Sequence, residues 1–195
     1  MVFADLSFAL EPGRALILRG PNGSGKSSLL RITATLMAPA AGTLSWQGSP
    51  IDTEEHHARL LYVGHDDAVK PVLSVRENLG FWAALAWPEG DRETRVGEAL
   101  ETLGLGRLAE VPAQLLSAGE RRRLGLARLL VAERTLWVLD EPTVALDRDN
   151  IGRFTQALRH HLAGDGLAII ATHVDIDVAD VAVLELSGRH QPVAA

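Results

Sequence analysis

A glycine-rich segment with a single lysine is the stretch of this sequence best suited to chemistry. It reads Gly20, Pro21, Asn22, Gly23, Ser24, Gly25, Lys26, Ser27, Ser28, which fits the phosphate-binding pattern G-x-x-x-x-G-K-[ST]. Glycines let backbone N–H groups turn inward around phosphate oxygens, and the following helix adds the positive end of its dipole. Lys26 is expected to reach the β- and γ-phosphates and Ser27 to bind Mg²⁺. The segment predicts a nucleoside triphosphate site.

Two carboxylates follow an apolar run at residues 136–139. Such a run predicts a buried strand, and ligands of open α/β sheets bind at the carboxyl ends of their strands. Asp140 is therefore placed to hold Mg²⁺, directly or through water. Glu141 points in a different direction and is predicted to polarise the attacking water as a general base. The alternative is a pair of solvated carboxylates without a function, and the upstream phosphate-binding segment favours the catalytic interpretation.

A third candidate site is a short segment before a long basic helix. It consists of Leu116, Ser117, Ala118, Gly119 and Glu120, and three arginines follow it. Ser117 is predicted to cap the helix, with free backbone N–H groups behind it that suit an anion. Because one phosphate site already exists, a second one suggests pairing across a twofold dimer. On these residues alone, an ordinary cap beneath a solvated basic helix is an equal alternative.

The elements that position these residues alternate between strands and helices. Apolar runs predict strands at 15–18, 60–63, 136–139, 167–171 and 181–186, and polar–apolar alternation predicts strands at 2–10 and 43–48. Helices are predicted after the phosphate segment, from the 74–77 capping box, at 92–103 before Gly104 and at 148–162. The pattern predicts an α/β fold: a parallel core over about 1–69 and 133–195, with a helical subdomain inserted at about 70–132.

Composition narrows the function further. The chain has 195 residues, 25 acidic against 19 basic ones, and a formal charge of -6. The acidic balance argues against a nucleic-acid partner, and the absence of cysteine excludes disulfides and thiolate sites. Since no apolar stretch reaches the roughly 18 residues of a membrane span, we expect any work at a membrane to proceed through a partner.

The order of these motifs resembles that of ABC-transporter ATPase subunits, over nearly the whole chain. The phosphate segment is followed by 116–120, by the run 140–143, by the loop before Asp147 and by Thr172 and His173. The resemblance implies an ABC-type P-loop NTPase fold, a mainly parallel sheet with an antiparallel β portion, and an ATP-hydrolysing enzyme that uses ATP and Mg²⁺.

In that family two subunits close head to tail around ATP. The resemblance implies a homodimer in which Ser117 and Gly119 contact the γ-phosphate of the opposite nucleotide. It also implies that Asp147 communicates across the dimer, and that His173 holds the γ-phosphate and water.

More narrowly, the chain resembles the ATP-binding subunits of cytochrome c maturation, or haem export, systems. The short length, the 6–10 segment and the residues after Ser28 fit that group, and His65 stands where most of the family has a metal-contacting glutamine. Because Mg²⁺ prefers oxygen, His65 is expected to act through water or toward a partner; the alternative is a solvated loop histidine.

The same resemblance implies partners and a location. It implies a CcmB-like membrane-spanning permease, haem-handling maturation proteins, no nucleic acid, and a peripheral place on the cytoplasmic face of the inner membrane. The alternatives are the ATPase subunit of another small ABC transporter and a soluble ABC ATPase without a channel.

Some positions depart from the family pattern. Glu120 replaces a glutamine and Val144 a small polar residue, and the adenine-stacking aromatic would lie before residue 1. We therefore expect a truncated start or adenine held without that stack, with weaker nucleotide affinity than in a full-length relative. Phe3 and Phe8 are predicted to be core residues of a first strand.

Aromatic and histidine residues leave further alternatives. Phe81, Trp82 and Leu85 fit either core packing or a surface that docks a membrane subunit. The histidine pairs at 56–57 and 160–161 are not expected to bind metal, because neighbours in a helix do not share a face.

Overall fold

The structure is a computed structural model that describes residues 3–187. Its strands are β1 (Ala15–Arg19), β2 (Ser45–Trp46), β3 (Ser49–Pro50), β4 (Leu60–Val63), β5 (Leu136–Asp140), β6 (Leu167–Ala171) and β7 (Val181–Glu185). Its α-helices are α1 (Lys26–Thr33), α2 (Thr53–Arg59), α3 (Val75–Ala86), α4 (Arg92–Thr102), α5 (Ala118–Ala132) and α6 (Arg148–Ala163). Short 3₁₀ turns occupy Gly106–Leu108 and Ala113–Leu115.

Five strands form one parallel sheet in the order β4-β5-β6-β1-β7. The register places Leu18, Ala171 and Asp140 in one row across β1, β6 and β5. Continuous apolar runs suit such a sheet, because helices cover both of its faces. β2 and β3 form a separate antiparallel hairpin, and the predicted α/β class with a small antiparallel portion is confirmed.

The two faces of the sheet bury different residues of the same strands. Leu16, Leu18, Val138 and Ile169 pack on the side of α1, with Leu29 and Leu30 of that helix. The alternate residues pack on the side of α3 to α6: Ile17, Trp137, Leu139, Ala168 and Ile170. The three central strands β5, β6 and β1 are thus packed on both faces, and the residues that follow them are held at a fixed edge of the sheet.

Side-chain caps fix where most of the helices begin. Ser74 and Ser117 each accept from the N–H of the third helical residue and complete a capping box, at α3 and α5 respectively. Asp52, Asp91 and Asp147 cap α2, α4 and α6. Among the α-helices within residues 3–187, α1 alone begins without a side-chain cap.

One predicted strand is wrong, and another is shorter than predicted. Residues 3–10 contain no strand, although Phe3 and Phe8 are half-buried against the core on the side of α1. Alternation of apolar and polar residues indicates that one side of an extended segment is buried. In this segment that side packs against the core, but the backbone does not pair with a strand. The 43–48 strand shrinks to Ser45–Trp46, because positive φ at Gln47 and Gly48 turns the chain into the hairpin.

Candidate functional site

The predicted site residues gather at one edge of the parallel sheet. The phosphate segment follows β1, Asp140 ends β5 with Glu141 after it, and Thr172 and His173 follow β6. Because these strands are parallel and adjacent, their carboxyl ends meet at the same edge. The sheet therefore brings together groups that are far apart in sequence.

The 20–28 segment is shaped to leave backbone N–H groups for an external acceptor. Gly20 and Gly25 have φ of +143° and +101°, and a Cβ on Gly20 would lie 2.2 Å from the Leu186 carbonyl oxygen. The first N–H of α1 with a helical acceptor is that of Leu29, which donates to Gly25 O at 2.8 Å. The N–H groups of the three preceding residues consequently have no acceptor within the helix.

Two side chains of this segment also fit a phosphate group. Lys26 is 8% exposed, and its Nζ donates to Gly20 O at 2.7 Å and Pro21 O at 3.2 Å, so the ammonium lies across the loop. The Ser24 hydroxyl is buried and has no hydrogen-bond partner among the described residues. Free N–H groups, an ammonium and an unpaired hydroxyl together suit a polyphosphate anion.

Asp140 and Glu141 leave β5 in different directions. Asp140 is 8% exposed and still pairs with Ala171 in the sheet. Glu141 has a φ of +47°, and its N–H donates to Ala171 O at 2.8 Å. A left-handed conformation is costly for a residue other than glycine and is often found at functional sites. The turn separates the two carboxylates, as their different predicted roles require.

His173 and Glu141 form a close pair across β5 and β6. His173 Nε2 lies 3.4 Å from Glu141 Oε1, with the histidine half-exposed. The preceding Thr172 is fully buried, and its Oγ1 accepts from Val174 N at 3.0 Å, which fixes the chain at that point. The structure thus brings together two predicted catalytic residues.

The residues predicted for Mg²⁺ fit an ion that takes most of its ligands from elsewhere. Within residues 3–187 no group of three or more His, Asp or Glu residues could hold a metal. Mg²⁺ in nucleotide sites is commonly bound by one or two protein oxygens together with phosphates and water. The Ser27 hydroxyl, at the start of α1, and the Asp140 carboxylate are suited to that role.

His65 lies at the same edge of the sheet, two residues beyond β4. It is exposed and lines a cleft of about 130 Å³ that Glu141 and Arg121 also line. A role for His65 at the metal or toward a partner stays a prediction.

The 116–120 segment begins α5. Ser117 is its N-cap, and the Glu120 carboxylate accepts from the Ser117 N–H at 2.8 Å. These hydrogen bonds to Ser117, followed by the charge of Arg123, hold the pKa of Glu120 below its usual value. The unusual glutamate therefore serves the cap, which explains how a negative charge is accommodated there.

The loop before Asp147 packs against this segment. A Cβ on Gly119 would lie 2.8 Å from the Ala145 carbonyl oxygen, so only glycine allows this approach. Asp147 itself caps α6, accepting from Asn150 N at 2.9 Å. Its predicted role across a dimer is compatible with its exposed position.

The sequence analysis did not identify Arg122 as a buried residue of the site. Arg122 is 5% exposed and contacts the backbone on both sides of Glu141, whereas the sequence showed only a run of three arginines. A signal existed: Arg122 precedes Leu126 by four residues and Leu129 by seven, which places it on a buried helix face.

The apolar residues of α3 divide between surface and interior. Phe81 and Leu85 are 50% and 59% exposed, so core packing is the wrong alternative for both. Trp82 is half-buried, with the Arg128 guanidinium 4.1 Å from its ring centroid. Burial lowers the pKa of Arg128 to about 10, so this arginine stays charged near neutral pH.

No helix within residues 3–187 is long and apolar enough to cross a membrane.

The sequence model of the family described as ABC transporter matches residues 3–144 of this chain. A cytochrome c biogenesis ATP-binding export protein CcmA from Rhodospirillum rubrum is 52% identical over 187 residues, covering 95% of this chain and 79% of that protein. The CcmA of Paramagnetospirillum magneticum is 52% identical over 189 residues, covering 95% and 87%.

Solved structures of ATP-binding proteins have the same fold as this chain. An ABC transporter ATP-binding protein from Pyrococcus furiosus superimposes with a TM-score of 0.81 at 26% identity, covering 93% of this chain and 88% of that one. A dimeric ATP-binding cassette in a post-hydrolysis state with ADP and Pi gives a TM-score of 0.78 at 26% identity, covering 92% and 85%.

Proposed function

The chain belongs to the ABC transporter family, and from that membership we propose that it is the ATP-hydrolysing subunit of a transporter for haem export or c-type cytochrome biogenesis. Nucleotide-dependent closure of two such subunits would drive a membrane partner. Two relatives named as cytochrome c biogenesis export proteins are 52% identical to this chain, which supports the narrower assignment.

The single observation that carries the ATPase proposal is the meeting of four groups at one sheet edge. Lys26, Asp140, Glu141 and His173 follow β1, β5 and β6, with Glu141 and His173 3.4 Å apart. Such a set can bind a triphosphate, position water and accept its proton, which are the demands of phosphoryl transfer to water.

We assign the residues of the site as follows. Residues 20–28 bind the β- and γ-phosphates through their free backbone N–H groups and the Lys26 ammonium, and Ser27 and Asp140 hold Mg²⁺, which would neutralise charge on the phosphate oxygens. Glu141 accepts the proton of the attacking water, and His173 orients that water and the γ-phosphate.

The second half of each site is assigned to a partner copy. Residues 116–120 contact the nucleotide held by the opposite subunit, and Asp147 lies at the interface between the two. The solved dimeric cassette with ADP and Pi supports this arrangement.

We also propose that the chain divides into a core of about 1–69 and 133–195 and a helical subdomain of about 70–132.

The proposed membrane partner is a CcmB-like permease, with haem-handling maturation proteins beside it. Phe81 and Leu85 on α3 offer an exposed apolar surface for that partner. The subunit would then be peripheral, on the cytoplasmic face of the inner membrane.

Co-purification tests the assignment. Glu141→Gln serves as bait from native membranes with ATP present, Lys26→Ala is the matched control, and bound proteins and haem absorbance are scored. Recovery of a small multi-span subunit with haem-handling proteins, on the Glu141→Gln bait only, supports the proposal. Recovery of a different permease would retain the ATPase chemistry and reject the haem assignment. Recovery of no membrane protein would favour a soluble ATPase.

A further inference from the structure

Residues 116–120, here called the signature segment, lead into helix α5. One arginine of this helix satisfies all of its hydrogen-bond donors inside the protein. Arg122 is 5% exposed, although the two arginines beside it are more accessible. Its acceptors are Pro142 O at 3.3 Å from Nε, Gly64 O and Asp67 Oδ1 at 3.0 and 2.8 Å from Nη1, and Asp140 O and Glu141 O at 2.8 and 2.9 Å from Nη2. The planar fork of a guanidinium suits such convergent contacts.

Three of these acceptors are consecutive backbone carbonyls at the catalytic turn. Asp140, Glu141 and Pro142 all accept from the same guanidinium, and Glu141 among them has a φ of +47°. A left-handed conformation is unfavourable for a residue other than glycine and persists only when its surroundings hold it. The hydrogen bonds from Arg122 restrain the backbone from which the Glu141 side chain extends toward His173.

The same arginine is joined rigidly to the segment assigned to the opposite nucleotide. Arg122 lies five residues after Ser117, whose capping box begins α5. The backbone of Gly119 is in close contact with the Ala145 carbonyl, a few residues after the catalytic turn. A shift at the start of α5 is therefore passed to Arg122 within about one and a half helical turns.

A third element is tied to Arg122, namely the loop after β4. Arg122 donates to Gly64 O and pairs with Asp67, and the two side chains are 6% and 17% exposed. On the next turn of α5, a Cβ on Gly125 would lie 3.0 Å from the Cβ of Asp67, so loop and helix are tightly packed. The loop that carries His65 is thereby included in the same unit.

We propose that Arg122 is a positioning residue that sets the Glu141 carboxylate according to the position of the signature segment in the same subunit. Since that segment contacts the nucleotide of the partner copy, Arg122 couples the two ATP sites of a dimer. The inference rests on the proposed function, because it takes Glu141 as the general base.

A second buried arginine of α5 supplies a matched control. Arg128 is also 5% exposed and donates to Asp67 O at 2.9 Å, but it has no described hydrogen bond to residues 140–142. If Arg122 acts on Glu141, its replacement affects turnover in a way that replacement of Arg128 does not.

The first experiment separates kcat from KM for ATP. Arg122→Gln is expected to lower kcat by roughly tenfold to a hundredfold, since a displacement of about 1 Å can cost on the order of a hundredfold. KM is expected to stay within about twofold, because the phosphate segment is untouched. Arg128→Gln is expected to keep kcat within about threefold of the wild type. An Arg122→Gln protein that is folded and has unchanged kcat would overturn the proposal.

A double-mutant cycle with Glu141→Gln distinguishes positioning from general loss of structure. Once the base is removed, adding Arg122→Gln is expected to change the residual rate by less than about twofold, because residues that act as a unit are not additive. A further loss equal to that of the single variant would show that Arg122 acts independently of Glu141. If Glu141→Gln itself hydrolysed ATP normally, the base assignment of the proposed function would fail instead.

Folding is controlled with a second variant. Arg122→Gln leaves Asp67 as an unpaired, largely buried charge, and such a loss can be strongly destabilising. Should that variant not fold, Asp67→Asn combined with Arg122→Gln removes both charges and is measured in the same two assays. The same loss of kcat and the same lack of additivity are expected, and a normal kcat in the folded double variant would contradict the proposal.

Discussion

The Glu141 carboxylate lies 3.4 Å from Nε2 of His173, across the ends of β5 and β6. The two residues are separated by 32 positions in the chain, and the parallel pairing of β5 with β6 brings them together. A general base and a group that orients water must lie within reach of the same molecule. Their proximity therefore makes the neighbourhood of Glu141 the place to test the chemistry.

Replacement of the base should separate binding from hydrolysis. Glu141→Gln keeps the size of the side chain and removes the proton acceptor, so ATP is expected to stay bound while hydrolysis slows by at least about a hundredfold. Single-turnover hydrolysis and nucleotide titration measure the two effects. Glu89→Gln, at an exposed turn, is the matched control and should behave as wild type. Normal hydrolysis by Glu141→Gln would mean that another group accepts the proton.

The two lysines of the chain offer a comparison at the phosphate segment. Lys26 is buried with its ammonium across the loop, whereas Lys70 is exposed. Lys26→Ala is expected to abolish nucleotide binding or turnover, and Lys70→Ala to leave both unchanged. Equilibrium binding of a fluorescent ATP analogue checks the result. Retained affinity and turnover in Lys26→Ala would contradict the phosphate assignment.

A comparison of two capping serines separates an effect on stability from an effect on the nucleotide role of residues 116–120. Ser74 and Ser117 each form a capping box, at α3 and α5. Ser74→Ala and Ser117→Ala should each cost about 1 kcal/mol of unfolding free energy, the usual value of a lost cap. Only Ser117→Ala should also lower ATPase turnover, since only its segment is assigned to the opposite nucleotide. Equal turnover in the two variants, measured at saturating ATP, would argue against that assignment.

His161 is expected to make stability depend on pH. Its ring stacks on Trp137 with centroids 3.9 Å apart, and burial lowers its pKa below the ordinary 6.5. Between the folded and unfolded pKa values the unfolded chain binds more protons, so the stabilisation is present above pH 6.5 and is lost as the pH falls through the folded pKa. The thermal midpoint of the wild type should therefore fall as the pH is lowered from 7 to values below 6.5.

A pair of variants isolates that contribution. His161→Phe keeps an aromatic ring against Trp137 and removes the titrating group, so the midpoint should depend less on pH in this window. The exposed His160→Gln is the control and should keep the slope of the wild type. Equal slopes in all three proteins would assign the effect to other groups.

Dimer closure should appear in the dependence of activity on protein concentration. If each nucleotide needs residues 116–120 of a partner copy, turnover in dilute solution should rise more steeply than in proportion to protein concentration. Steady-state hydrolysis over a dilution series measures this. Strict proportionality down to nanomolar protein would indicate a monomeric or an already tight species.

Local sequence patterns were sufficient to predict several strands and helix starts of the fold. The β5 and β6 strands were found because continuous apolar runs of that length suit a sheet buried on both faces. The start of α3 was predicted because Ser74 and Glu77 have the spacing of a capping box, in which each side chain accepts from the backbone N–H of the other residue. At α5 the sequence predicts the Ser117 cap correctly, but the role of Glu120 in the same capping box was missed, although its spacing is that of Ser74 and Glu77.

What the sequence could not predict depends on partners distant in the chain. The 3–10 segment alternates like a strand, but pairing requires a neighbour that the pattern does not reveal. The exposure of Phe81 and Leu85 is decided by which side of α3 is left uncovered by α4 and α5. Among three adjacent arginines, the one that contacts the turn after β5 is determined by the approach of Gly64 and Asp140, which are far apart in the chain but lie at the ends of the neighbouring strands β4 and β5.

The missing side-chain cap of α1 gives the nucleotide a structural part in the fold. In each of the other α-helices of residues 3–187, a side-chain oxygen of the chain itself accepts from one of the first N–H groups. In α1 that acceptor must arrive from outside, so a bound phosphate completes secondary structure as well as filling a site. Part of the binding free energy is then helix-capping free energy, on the order of 0.5–2 kcal/mol by comparison with side-chain caps. When product leaves, the helix that carries Lys26 and Ser27 loses its cap at the moment when the site must open.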